Sequence, residues 1–202
     1  MDISARGMPF SYIIVQFLLQ IAAVIISKKE RIIEIATLVT DSDLNILAEG
    51  PNLIISQPKE ILDAMDEWNT NQHGLSGLTE EVSNSNITEQ MAEIETLDFV
   101  SKYVGENTSP MCGNTVSHDR RFLSKYMPRL ESYFNYRHID VSSFKEVAVR
   151  WMNEAQVYEK KGSHRALGDI KESVEELKFY KKLFFPVVSS SNRFLWQALS
   201  LI

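Results

Sequence analysis

Three short stretches carry most of the residues able to do chemistry. GNTVSHDRRF (113–122) sets Asp119 at the opening of a helix and follows it with Arg120 and Arg121. YRHIDVSS (136–143) gathers Tyr136, Arg137 and Asp140 around a strand. SHRALGD (163–169) places His164 and Asp169 across the start of another helix. Residues five apart lie about 140° apart around a helix, so spacing alone puts this pair on different faces. A histidine in the loop before the helix can still swing over the side that Asp169 presents. An imidazole beside carboxylates suits a general base working next to a metal-bound water. Taken singly, each residue has a plainer reading. Asp119 is a first-turn acid favoured by the helix dipole, and His164 is a surface residue near a cap. Tyr136 and Trp68 are core or interface aromatics, and Arg120, Arg121, Lys125 and Arg129 form a solvated helix face.

The elements around these stretches read as a mixed sheet covered by helices, an α/β fold. RIIEIATLVT (31–40) is β-branched and apolar, a central strand. Asp41-Ser42-Asp43 turns the chain, and LNILAEG and PNLIIS follow as two further strands of a meander. Helical spacing predicts a helix from Pro58 to Trp68 and a stronger one carrying Ile87, Met91, Ile94, Leu97, Val100 and Val104. Residues 110–116 read as a short buried strand and Asp119 to Tyr126 as a helix ending before Pro128. HIDVSS (138–143) reads as a strand leading into the helix of Phe144 to Trp151. The clearest helix carries Ala166, Ile170, Val174, Leu177 and Tyr180 on one face, with Ser163 placed as its N-cap.

Composition bounds the partners. The 202 residues are 44% apolar and 24% charged, which excludes a disordered tail, a fibre or a disulfide-stapled mini-protein. Cys112 is the single cysteine, so no internal disulfide or four-cysteine zinc site forms, and a reducing compartment fits. The Asn-x-Ser/Thr triplets at Asn86 and Asn107 then read as chance matches. The net charge of −6 hides an asymmetry: residues 31–110 hold fifteen acids and three bases, residues 111–202 ten acids and fifteen bases. Such a chain is a poor general coater of nucleic acid, whose affinity rests on many phosphate contacts. A local basic surface beside an acidic site still suits a short anionic substrate.

The organisation falls into an atypical apolar segment (1–30), a domain (31–185) and an atypical tail (186–202). Tyr12 to Ser27 is apolar except for Gln16 and Gln20, and at 16 residues falls short of the roughly 20 a membrane-spanning helix needs. It stays open as a signal or anchor, a buried strand or helix, or a stretch outside the folded domain. Both ends depart from the pattern of the domain, as an altered splice product or translated non-coding sequence would.

RIIEIATLVTDSDLNILAEGPNLII, CGNTVSHDRRFLSKYMPRLESYFNYRHIDVSSFKEVAVRW and SHRALGDIKESVEELKFY, in that order, strongly resemble oligoribonuclease. That family comprises 3′→5′ exoribonucleases of the DEDDh class acting on RNA a few nucleotides long. The resemblance implies an RNase H-like sheet, a homodimer in the cytoplasm or mitochondria, and two-ion hydrolysis with Mg²⁺ or Mn²⁺ to nucleoside 5′-monophosphates. It implies Asp119 and Asp169 as metal ligands and His164 as general base. Tyr136 would reach the partner subunit's site, and Trp68 and His73 would contact the substrate. Thr115, Arg137 and Ser142 would cap its 5′ phosphate. Thr115 stands where serine is more usual, and Gly168 replaces an acid. No DNA-specific partner is implied.

One departure weighs more. The family's Asp-x-Glu pair on the first strand falls at Leu19 and Ile21, neither of which can ligate a metal. The expectation is weakened ion binding and little or no nuclease turnover. Three functions follow: a working exoribonuclease, a protein that only binds short RNA or dimerises, and an interaction protein contacting membrane through residues 8–27.

Overall fold

A computed structural model describes residues 31–152, 157–160 and 165–186, together with the backbone of residues 16–24. Five strands lie in the order β3-β2-β1-β4-β5: β1 Gln16–Val24, β2 Arg31–Thr40, β3 Ile46–Ile54, β4 Pro110–Gly113 and β5 Asn135–Asp140. β1 is therefore the central strand, antiparallel to β2 and parallel to β4. Of the apolar segment read as a possible membrane contact, residues 16–24 are part of this sheet. Among the described residues no helix is long and apolar enough to cross a membrane.

β2 is buried from Ile32 to Thr40, as a strand with neighbours on both edges and helices on both faces must be. Alternation along it separates two cores. Ile35 and Val39 join a cluster with Ala92, Val100, Phe122, Leu123 and Leu130. Leu38 joins the other, with Cys112, Val141, Ile170, Val174 and Leu177. The first core is closed by α4 (Glu89–Ser101), α5 (Val116–Tyr126) and α6 (Pro128–Tyr133). The second is closed by α7 (Val141–Trp151) and α8 (Ala166–Phe184).

Several expectations change. Residues 46–54 form one edge strand, not two, because the Gly50-Pro51 pair is absorbed in a register irregularity opposite Thr37. A Cβ on Gly50 would lie 2.7 Å from the Phe99 ring, so the strand passes too close to α4 for any side chain there. The helix read over 58–68 is broken into α1 (Lys59–Leu62) and α2 (Glu67–Leu75). Asp66 ends the first possibility by capping the second, its carboxylate accepting from the Asn69 N–H at 2.8 Å. α3 (Leu78–Asn84) and α6 were not expected, the latter opening on Pro128 at its first position. α8 starts at Arg165–Ala166, so Ser163 is not its cap; Ser163 itself lies outside the described residues. The cap is instead a carboxylate from the sheet, since the Ala166 N–H donates to Glu34 Oε2 at 2.9 Å.

Candidate active site

The two carboxylates of the motifs sit in the first turns of helices that lean on the same strands. Asp119 in α5 is buried and Asp169 in α8 is half-buried, and both helices pack against β1 and β2. Asp169 is anchored through its backbone, its N–H donating to the Arg165 carbonyl at 2.9 Å. His164 lies outside the described residues. On β1, Leu19 is paired with Thr37 and Ile21 with Ile35. The two columns that the resemblance assigns to acids are thus in the middle of the central strand, filled by hydrocarbon residues.

A second constellation closes the far end of β4. Thr115 adopts a left-handed backbone, φ 52°, ψ 38°, unusual for a β-branched residue. The strain is offset by two acceptors for its N–H, Asp140 Oδ1 at 2.9 Å and Ser142 Oγ at 3.1 Å. The same Asp140 oxygen accepts the Ser142 N–H at 2.9 Å, capping α7. The Thr115 and Ser142 hydroxyl oxygens come within 3.2 Å although 27 residues separate them. Behind them, the Asn114 amide donates to Ser142 Oγ at 3.3 Å and to Glu176 Oε2 at 2.9 Å. Glu176, buried in α8, also pairs with Lys160 at 3.1 Å. Cys112 sits under this turn; burial, and then the Asp140 charge, push its thiol up to about 12.

Tyr136 and Arg137 begin the edge strand β5. The Tyr136 ring is 71% exposed and the Arg137 guanidinium lies over it, 4.7 Å from its centroid. Arg120, expected on a solvated face, is only 17% exposed and holds this strand in place. Its Nε donates to Glu131 at 2.7 Å, and Nη1 donates to the carbonyls of Asn135, Tyr136 and Arg137 at 2.9, 3.1 and 3.4 Å. Nothing in α5's own sequence signalled this, since the carbonyls it serves belong to β5. Trp68 and His73 are separated by α2, Trp68 62% exposed and His73 buried, as five-residue spacing on one helix dictates. The structure therefore joins Thr115 with Ser142 and Tyr136 with Arg137, and splits Trp68 from His73.

Sequence reasoning missed Glu34. It is fully buried on β2, and its carboxylate accepts from Asn52 at 3.1 Å, from Arg165 Nε and Nη2 at 3.2 and 3.1 Å, and from Ala166 N–H. A lone acid inside the apolar run RIIEIATLVT was the available signal, since a buried charge persists only when paired.

A family model described as "Exonuclease" matches residues 15–177. A relative named "Oligoribonuclease" from Halorhodospira halophila is 57% identical over 157 residues, which is 77% of this chain and 86% of that protein. The chain belongs to the oligoribonuclease family. By family it is an enzyme, a 3′→5′ exoribonuclease with an RNase H-like fold. Solved structures agree on the fold at low identity. The nuclease domain of 3′hExo, a DEDDh family member bound to rAMP, aligns with TM-score 0.58 at 13% identity over 87% of this chain and 94% of that one. Escherichia coli exonuclease I with single-stranded DNA, in a zinc-bound form, aligns with TM-score 0.60 at 14% identity over 86% of this chain and 41% of that one.

Exonucleases of this fold use divalent metal ions. The donor set present does not fit a pair of them. Asp119 and Asp169 remain, Leu19 and Ile21 offer no lone pairs, and no group of three His, Cys, Asp or Glu able to hold an ion occurs among the described residues. Two carboxylates are fewer donors than a pair of bridged ions requires.

Proposed function

We propose that this chain acts on RNA fragments of two to a few nucleotides, taking them at the 3′ end and releasing nucleoside 5′-monophosphates. The observation that carries the length limit is the closure of Thr115 on Ser142 at 3.2 Å just beyond the C-terminal ends of β4 and β5, with Arg137 exposed earlier on the same edge strand, five residues before Ser142. Two hydroxyls and a guanidinium suit the oxygens of a terminal 5′ phosphate, and a capped 5′ end admits only short chains. The exposed Trp68 offers a stacking face for a base. His164 is assigned as the base that takes the proton of the attacking water, and Mg²⁺ or Mn²⁺ as the ion met by Asp119 and Asp169. The outward Tyr136 on an edge strand supports a homodimer in which each subunit lends that ring to the other. A cytoplasmic or mitochondrial location goes with this reading and with a reduced Cys112.

One observation favours a second reading, binding with little turnover: the hydrocarbon residues Leu19 and Ile21 on the central strand. Loss of members of a catalytic unit lowers rates by orders of magnitude. The experiment is release of mononucleotides from a 5′-labelled dinucleotide with Mg²⁺ or Mn²⁺, for this chain and for the Leu19→Asp/Ile21→Glu variant. Turnover comparable to that of the relatives supports the first reading and sinks the second. Binding without turnover, with turnover gained by the variant, establishes the second. Neither binding nor turnover in either protein overturns both.

A further inference from the structure

Glu34 is fully buried, and the network around it reaches well beyond the sheet. Arg165 spends its guanidinium on two carboxylates from different layers. It meets Glu34 of β2 through Nε and Nη2 at 3.2 and 3.1 Å, and Glu81 of α3 through Nη1 and Nη2 at 3.1 and 2.7 Å. Nη1 also reaches the carbonyl of Ser76, the residue that closes α2, at 3.4 Å. The two glutamates hold this guanidinium in its charged form, above its ordinary pKa, against the opposing effect of burial. Its backbone is extended, φ −126°, ψ 137°, in the cap position of α8, and its carbonyl takes the first helical bond, from the N–H of Asp169.

One side chain therefore ties three things together. The α2–α3 arm carries the exposed Trp68, the central sheet carries Glu34, and the first turn of α8 carries Asp169. We propose that Arg165 is a positioning residue that couples the seating of the α2–α3 arm to the placement of the α8 first turn, so that base stacking on the arm and the carboxylate of Asp169 are set together. This rests on the short-RNA reading for what the arm holds, while the coupling itself is a property of the unliganded chain. Only a planar fork can serve both acids at once; a lysine in its place satisfies one of them.

The test is amide hydrogen exchange on the full chain without ligand, for Arg165→Lys and Glu81→Gln. Glu81→Gln leaves the Glu34–Arg165 pair intact, so it keeps the variant folded if Arg165→Lys does not. The expected result is exchange about tenfold faster in both segments, residues 76–84 and residues 166–170, in each variant, as loss of a charged hydrogen bond gives. Faster exchange confined to 76–84 in Glu81→Gln overturns the proposal. A second readout separates coupling from bulk stability: the affinity of Glu81→Gln for a 5′-phosphorylated dinucleotide, by calorimetry. Coupling predicts weakening of about fivefold or more with the melting temperature nearly unchanged, because Glu81 is half-exposed. Unchanged affinity with a lowered melting temperature overturns it. If the unmodified chain binds no dinucleotide, the short-RNA reading fails, and the exchange experiment alone still decides the coupling.

Discussion

Arg120 is the residue whose removal best separates site geometry from general stability. Arg120→Ala deletes an ion pair to Glu131, with the two side chains 17% and 24% exposed, and the donors that serve three consecutive carbonyls of β5. A half-buried charged pair contributes about 1.5 kcal/mol. The two shorter carbonyl bonds add about 1 kcal/mol between them, and the third, at 3.4 Å, little. The expected loss is therefore about 2–3 kcal/mol, or about 8 °C in melting temperature for a chain of this size. The same carbonyls belong to Asn135, Tyr136 and Arg137, so the start of β5 should loosen where Arg137 is presented. Binding of a 5′-phosphorylated dinucleotide, followed by calorimetry, should weaken about tenfold, while a dinucleotide lacking the 5′ phosphate should be less affected. Arg120→Lys keeps the charge for Glu131 but cannot span three carbonyls. It should recover about half of the stability and little of the affinity. A variant that melts 8 °C lower yet binds the phosphorylated dinucleotide as before would refute the link between Arg120 and the phosphate end of the site.

Glu93 in α4 is buried and accepts the N–H groups of Arg129 and Leu130 at 2.7 and 3.1 Å, standing in for a cap on α6. Glu93→Ala should cost about 3 kcal/mol in urea unfolding, and Glu93→Gln, which keeps one acceptor, about half of that. Gly50→Ala places a methyl 2.7 Å from the Phe99 ring and should cost about 1–3 kcal/mol by the same measurement. For Cys112 the folded pKa of about 12 stands above the unfolded value near 9.0, so the thiol favours the folded state fully below pH 9. That contribution is lost as pH rises toward 12. Cys112→Ala should flatten the alkaline fall in stability, and alkylation of the native chain at pH 8.5 should be slow until it unfolds; fast labelling would contradict the burial.

The parts legible in advance were those written locally. The apolar run at 31–40 and the threefold and fourfold spacings of residues 87–104 and 166–180 fix strand and helix wherever they lie. Those elements formed as β2, α4 and α8. The motif stretches placed Asp119 and Asp169 in first turns for the same reason. The broken helix at 58–68 was not legible, because it turns on whether Asp66 accepts one N–H, a choice between two nearly equal local patterns. The solvated reading of Arg120 failed because exposure is set by β5, which lies outside α5's own sequence.

The sequence by itself determined the family, the mixed α/β character, the retained carboxylates, and the hydrocarbon residues at Leu19 and Ile21. All of these follow from residue type, short-range spacing or the order of long motifs. Only the tertiary structure decided that the atypical apolar segment supplies the central strand between β2 and β4. It alone joined Arg165 to Glu34 across 131 residues, and it gave the 3.2 Å contact between Thr115 and Ser142, which the resemblance had already grouped. The physical reason is that periodicity records which face of an element is buried, while hydrogen-bond partners at long range depend on where whole elements stop against one another. A buried acid such as Glu34 announces in the sequence that it needs a partner; the identity of that partner is settled only when β2 and α8 meet.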